Sequence, residues 1–271
     1  MTLVSTEWLS KNLNKVKIID ASWHLEKNRN AAKEYKKEHI LNAIFFDLDK
    51  NSNQNKSLHH GHFLPSIKNH QKNMSEMGVL NTDRIIVYCN SNLISSCRAW
   101  FQFIYFGHDS KLVSVLNGGM KKWKLENREI TSKETKITLS KYIAKENKSM
   151  IKVKYQIEEN IIKKKFIVLD ARSKNRFLGL EPEPRSGIRR GFIEESKSLP
   201  LSELVNQKDN TFLNNEKLKR IFDLTGIKHN QIVMSCGSSV TASSLALAYS
   251  LINDDYIAKI YIGSWAEYGK I

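Results

Sequence analysis

QIVMSCGSSVTASSLALA, residues 231–248, decides how this chain is read. Residues 231–235 are a short apolar, β-branched run with the composition of a buried strand. The run closes on Cys236, crosses the small residues Gly237, Ser238 and Ser239, and enters an apolar stretch of helical spacing for which Thr241 is a suitable cap. Strand, tight loop and helix are the repeating parts of a parallel α/β sheet, whose ligands sit beyond the carboxyl ends of strands, at helix N-termini. Cys236 stands at such a place. Backbone N–H groups of a tight loop converge on its centre and the helix dipole adds positive potential, so a thiolate there is stabilised. The thiolate is the nucleophilic form. The competing reading is a buried structural cysteine.

The same order of features occurs once before. The first half contains KIIDAS (17–22), EYKKEHILNA (34–43), IIVYCNSNLISSCRAW (85–100) and VLNGGMKKW (115–123). The second half contains FIVLDAR (166–172), RRGFIEES (189–196), the opening stretch, and IYIGSWAEY (260–268). Asp20-Ala21 thus corresponds to Asp170-Ala171, Cys89 to Cys236, and Gly118-Gly119 to Gly263-Ser264. Two copies of one unit explain this order. Short β-branched runs alternate in both halves with helical segments at 94–106, 218–224 and 241–252, which predicts an α/β fold with two parallel sheets carrying helices on both faces. The polar, Lys-rich stretch 128–150 reads as a linker, giving domains at 1–127 and 151–271.

Composition narrows the function. Lys and Arg total 43 against 28 Asp and Glu, a net charge of +15 that would favour anionic partners if gathered on one face. The lysines are instead scattered in groups such as Lys36-Lys37, Lys121-Lys122 and Lys163-Lys164-Lys165, with no nucleic-acid motif among them, so no nucleic acid partner is expected. Residues 1–15 lack the order of a secretory signal and no apolar run reaches bilayer length, so a cytoplasmic protein without membrane association is expected. The cysteines, Cys89, Cys97 and Cys236, form no CxxC pair or zinc-spaced cluster; neither a disulfide framework nor a metal or other cofactor is expected.

Phosphate-ester chemistry also uses a cysteine in such a loop, with an arginine six residues on to fork around phosphoryl oxygens. That position is Ala242 after Cys236 and Ser95 after Cys89, so the bidentate donor is missing. The loop suits a smaller cargo, one sulfur atom.

VSTEWLSKNL, IIDASWHL, HILNAIFFDLD, VLNGGMKKW, VLDARSKNRFLGLEPEPRSG, CGSSVTA and GSWAEY, spread in order over the chain, resemble the tandem rhodanese sulfurtransferases. CGSSVTA is similar to the loop of the 3-mercaptopyruvate enzymes, whereas thiosulfate enzymes usually carry Arg-Lys after the cysteine. The resemblance implies a catalytic C-terminal domain and a non-catalytic N-terminal one. It implies that Cys236 takes sulfur from 3-mercaptopyruvate, or from thiosulfate, and passes it as a persulfide to a thiol, cyanide or a thioredoxin-like protein. It also implies that Arg176 and Arg185 bind the donor's carboxylate and carbonyl and that Gly237, Ser239, Val240 and Thr241 complete the loop around it. Surface ion pairing of these arginines with Glu181 and Glu183 is the alternative. A proton relay falls on Ser238, Asp49 and His62, with His59 and His60 as alternatives for the last. Cys89 falls in the silent copy, and Cys97 reads as packing.

Two places depart from the family pattern. Ser239 stands where glycine is usual, which strains the loop if that residue takes positive φ. GFIEES (191–196) replaces a turn that usually reads Gly-His-Ile-Pro-Gly-Ala. These changes motivate a rival reading, a non-catalytic scaffold, against which the retention of Cys236, Arg176 and Arg185 together argues.

Overall fold

The computed structural model describes residues 2–53, 61–226 and 231–271. The described residues divide into two compact units, residues 2–53, 64–147 and 207–211 in one, and 61–63, 148–206, 212–226 and 231–271 in the other.

The first unit runs β1 (Leu3–Val4), α1 (Thr6–Ser10), β2 (Lys17–Asp20), α2 (Ala31–Lys37), β3 (His39–Ile40), β4 (Ala43–Phe45) and α3 (Ile67–Glu76). It continues with β5 (Ile85–Tyr88), α4 (Ser96–Tyr105), β6 (Val113–Leu116), α5 (Gly119–Leu125) and β7 (Ile130–Thr131). Its sheet has the order β1-β6-β5-β2-β4, and every pairing in it is parallel. Strands buried on both faces need continuous apolar runs, and Ile85, Ile86, Val87 and Tyr88 are all fully buried.

The second unit runs β8 (Ile151–Lys152), α6 (Lys154–Lys163), β9 (Ile167–Asp170), α7 (Lys174–Phe177) and β10 (Lys197–Ser198). It ends with α8 (Asn215–Leu224), β11 (Ile232–Ser235), α9 (Val240–Ser250), β12 (Lys259–Tyr261) and α10 (Ser264–Tyr268). Its parallel sheet has the order β10-β9-β11-β12-β8. Read from the other edge, this is the order of the first sheet, so the sequence repeat is a repeat of topology. In both, the cysteine follows the central strand.

The stretch 128–150, expected as a linker, is engaged with the first unit up to residue 147. β7 pairs antiparallel with β3, Tyr142 is fully buried, and the amides of Lys145 and Asn147 donate to the carbonyls of Phe106 and Tyr105. Its lack of periodicity reflects a segment that is satisfied by backbone pairing rather than by an apolar face. Among the described residues no helix is long and apolar enough to cross a membrane.

GFIEES keeps its hold on the core through its apolar residues. Ile193 is buried with Ile157, Val168, Ile188 and Trp265, and Phe192 stacks on Phe177 with ring centroids 4.7 Å apart. Glu195 takes the glycine's place in the turn at φ +61, a left-handed conformation with a strain of about 1 kcal/mol.

Candidate active site

Cys236 leaves β11 with 1% of its surface exposed. The next two peptides are held from behind: Trp265 and Ala266, in the first turn of α10, donate their amides to the carbonyls of Cys236 and Gly237, each at 2.9 Å. In a trans peptide the N–H points opposite to the carbonyl, so the amides of Gly237 and Ser238 are turned away from α10. The amides of Cys236 and Ser239 do something else. Both donate to the Ser264 hydroxyl, at 3.3 and 3.1 Å, which in turn donates to the Tyr261 carbonyl at 2.9 Å. The loop amides therefore do not all converge on the loop centre: Ser264 claims one at each end of the loop. The first-turn amides of α9, at Val240, Thr241 and Ala242, have no intrahelical acceptor and add positive potential at the loop.

Thr241 is inside the helix rather than its cap. The helix begins at Val240, and the residue before it, Ser239, is left-handed at φ +63 with no side-chain capping bond. A capping hydroxyl needs an extended backbone to reach back to the helix amides. Ser239 instead sends its hydroxyl to the backbone carbonyl of His62 at 3.3 Å.

Arg176 and Arg185 reach the loop together. Arg176 sits on the short helix α7, which Ser173 caps by accepting from the Arg176 amide. A methyl group on Gly237 would stand 3.0 Å from Arg176 Nη2 and 3.7 Å from Arg185 Nη1, so the absence of a side chain there admits both guanidinium groups. Arg185 Nη2 also donates to Ser238 Oγ at 3.0 Å. Arg176 Nη2 donates to Glu183 Oε2 at 2.6 Å, but this is no surface pair, because the Glu183 side chain is only 4% exposed. The other Glu183 oxygen accepts from Arg172 Nη1 at 2.8 Å. Arg172 is fully buried, grips Asp170 through Nε and Nη2, donates to the Gly191 carbonyl and lies 4.7 Å over the Trp265 ring.

His62 belongs to the same unit as Cys236 and its Nδ1 is 2.9 Å from Ser238 Oγ. An arginine can only donate, so the Ser238 hydroxyl accepts from Arg185, and the imidazole tautomer sets the direction of its bond to His62 Nδ1. Asp49 belongs to the other unit, where its carboxylate accepts from Trp23 Nε1 at 3.1 Å. His59 and His60 lie outside the described residues.

The first unit holds the matching cysteine differently. The carbonyl of Cys89 accepts from Met120, as that of Cys236 does from Trp265, but the residue matching Ser264 is Gly119. Gly119 has φ +53 and a side chain there would stand 2.5 Å from the Cys89 carbonyl, so the clamp that Ser264 provides has no counterpart at this position, and the Asn90 amide donates instead to the Ser22 hydroxyl at 2.7 Å. The helix after Cys89 starts only at Ser96, against Val240 after Cys236. The Cys89 thiol donates to the Ser96 hydroxyl at 3.4 Å. Cys97 is fully buried on α4.

Sequence reasoning gave Arg172 and Ser264 no role at the site and named Glu183 only as a surface ion-pair partner of the arginines. A signal existed for Arg172 and Ser264: DAR against DAS and GS against GG are two of the places where the copies differ.

Fold and loop together define the class, an α/β unit built twice, with a cysteine loop closing the central parallel strand of each copy. The family model of the rhodanese-like domain matches residues 5–126. A thiosulfate/3-mercaptopyruvate sulfurtransferase of Arabidopsis thaliana is 34% identical, over 98% of this chain and 75% of that protein. The 3-mercaptopyruvate sulfurtransferase of Rattus norvegicus is 33% identical over 98% and 91%, and the thiosulfate sulfurtransferase of Cricetulus griseus 32% over the same shares. The crystal structure of SseA from Escherichia coli superposes with a TM-score of 0.86 at 30% identity, over 98% of this chain and 99% of that one. This chain belongs to the rhodanese family of sulfurtransferases.

Proposed function

We propose that this protein is a 3-mercaptopyruvate sulfurtransferase that carries sulfur as a persulfide on Cys236. Relatives named for either donor are equally similar to it, so the choice of donor rests on residues. The observation that carries the reading is the convergence of Arg176 and Arg185 on Gly237, the residue next to Cys236. Two guanidinium forks suit a donor with a carboxylate and an adjacent carbonyl.

In the first half-reaction the Cys236 thiolate attacks the donor's sulfur. The S–S bond forms as the C–S bond breaks, and the electron pair goes to the donor's carbon as the enolate of pyruvate. Arg185 stabilises the enolate oxygen, and a proton taken up at carbon gives pyruvate. Ser238 and His62 form the proton path, the hydroxyl bridging Arg185 and the imidazole. The amides of Gly237 and Ser238 and the first turn of α9 stabilise the persulfide anion. In the second half-reaction the thiolate of an acceptor, a small thiol or a thioredoxin-like protein, or cyanide, takes the outer sulfur and Cys236 leaves as thiolate.

Intact mass after addition of 3-mercaptopyruvate tests this: one added sulfur atom, absent in Cys236→Ser, is the expected result. Faster turnover on thiosulfate than on 3-mercaptopyruvate would make the protein a thiosulfate enzyme, and no sulfur uptake from either donor would make it a scaffold.

A further inference from the structure

The C-terminal unit carries a buried chain of alternating charge, Asp170, Arg172, Glu183, Arg176, that ends against Gly237. Among the described residues the N-terminal copy has no such chain, only an Arg29–Glu34 pair whose arginine donates to the Asn90 carbonyl. There Ser22 occupies the place of Arg172 and donates its amide and hydroxyl to Asp20, whose carboxyl is raised above the usual carboxylate range by burial. The chain is thus a feature of one copy and not of the fold, and it is the copy with Cys236.

From this contrast we infer that Glu183 is a positioning residue, which aims Arg176 at the donor's carboxylate; the inference rests on the sulfurtransferase reading above. Glu183 uses both of its oxygens, one for each arginine. Arg172 cannot adjust to a change, since Asp170, the Gly191 carbonyl and the Trp265 ring hold it on its other sides. Arg176 is the less constrained member: its side chain is 17% exposed and its Nε is buried without a hydrogen-bond partner among the described residues. Among the described residues, Glu183 therefore supplies the strong bond that sets the direction of this guanidinium.

The sign of the charge separates positioning from simple electrostatics. Glu183 is an anion beside a site for an anion, so removing its charge strengthens the Coulombic attraction for the donor. Any loss of donor use on neutralising it reads lost orientation. Glutamine in its place keeps one acceptor oxygen and gains an NH2 group, so it can satisfy one arginine only. The oxygen goes to the immobile Arg172, and Arg176 faces a donor and turns away.

The experiment compares wild type, Glu183→Gln and Glu183→Asp, each checked by thermal melting. kcat/KM on 3-mercaptopyruvate is set against the rate at which neutral iodoacetamide alkylates Cys236. We expect Glu183→Gln to lower kcat/KM at least about tenfold while alkylation stays within about twofold of wild type. Glu183→Asp, which keeps both oxygens on a shorter arm, falls between the two. A folded Glu183→Gln protein with wild-type kcat/KM, or with alkylation lost in step with turnover, overturns the inference. If Glu183→Gln does not fold, Glu183→Asp decides by the same comparison, selective loss on the anionic donor supporting the inference and equal loss refuting it. Wild type that takes no sulfur from 3-mercaptopyruvate refutes the functional reading instead, so the two failures are distinguishable.

Discussion

Replacing Ser239 by glycine removes two opposed contributions at once. The backbone at φ +63 strains any residue with a Cβ by about 1 to 2 kcal/mol, which glycine relieves. Glycine returns roughly 0.5 to 1 kcal/mol of that through the extra entropy of its unfolded chain. The Ser239 hydroxyl also donates to the His62 carbonyl, a bond long enough at 3.3 Å to be valued at the low end of the usual range, about 0.5 kcal/mol. The sum is close to zero, and the melting temperature should move by less than about 2 °C. Activity should not stay level. His62 loses a bond that helps hold its backbone while its ring must still meet Ser238 Oγ, and a small displacement of a proton-path residue lowers kcat about three- to tenfold. Ser239→Ala separates the contributions, because it keeps the strain and loses the bond: it should be less stable than wild type by about 0.5 to 1 kcal/mol and equally impaired in kcat. Steady-state turnover on 3-mercaptopyruvate and thermal melts of the two variants are the assay. A glycine variant with kcat at or above wild type would refute the role given to this hydroxyl.

Cys236→Ser should abolish sulfur transfer while Cys89→Ser keeps most of it, since only the second loop has the Ser264 clamp and the arginine pair; equal losses in a turnover assay would mean the site is misassigned. Arg176→Lys and Arg185→Lys should each lower kcat/KM on 3-mercaptopyruvate by about tenfold or more, because an ammonium cannot reproduce the fork, with little change in melting temperature; wild-type kinetics in both variants would place the carboxylate elsewhere. His70 is buried against Phe106 and burial, the largest cause, depresses its pKa from 6.5 to about 3. The unfolded chain therefore binds a proton that the folded one refuses, so this contribution to stability is complete above about pH 6.5 and declines as pH falls, by about 1.4 kcal/mol per unit. His70→Phe should remove that slope, and wild type should lose about 2 kcal/mol more than the variant between about pH 7 and about pH 5 in chemical denaturation; parallel slopes would contradict a neutral buried His70.

The repeat, the parallel α/β class and the place of Cys236 at a strand end are all legible in the sequence, because strand runs, helical spacing and small-residue loops are local patterns. Arg176 and Arg185 are legible through resemblance, and the structure places them at Gly237 with Ser238 beside His62. Local pattern also misleads: Thr241 reads as a cap until the left-handed Ser239 moves the helix start to Val240, and 128–150 reads as a linker although its backbone pairs with the first unit as far as Asn147. What no local pattern contains is the partner of a buried polar group. That Ser264 receives two loop amides, or that Glu183 joins Arg172 to Arg176, depends on residues 25 to 28 and 7 to 11 positions apart meeting where water is excluded. Residue types and spacing by themselves determined which groups could do chemistry in this protein. The tertiary structure alone decided which of them hold one another, because a buried hydrogen bond is set by where the chain returns in space and not by what stands beside it in sequence.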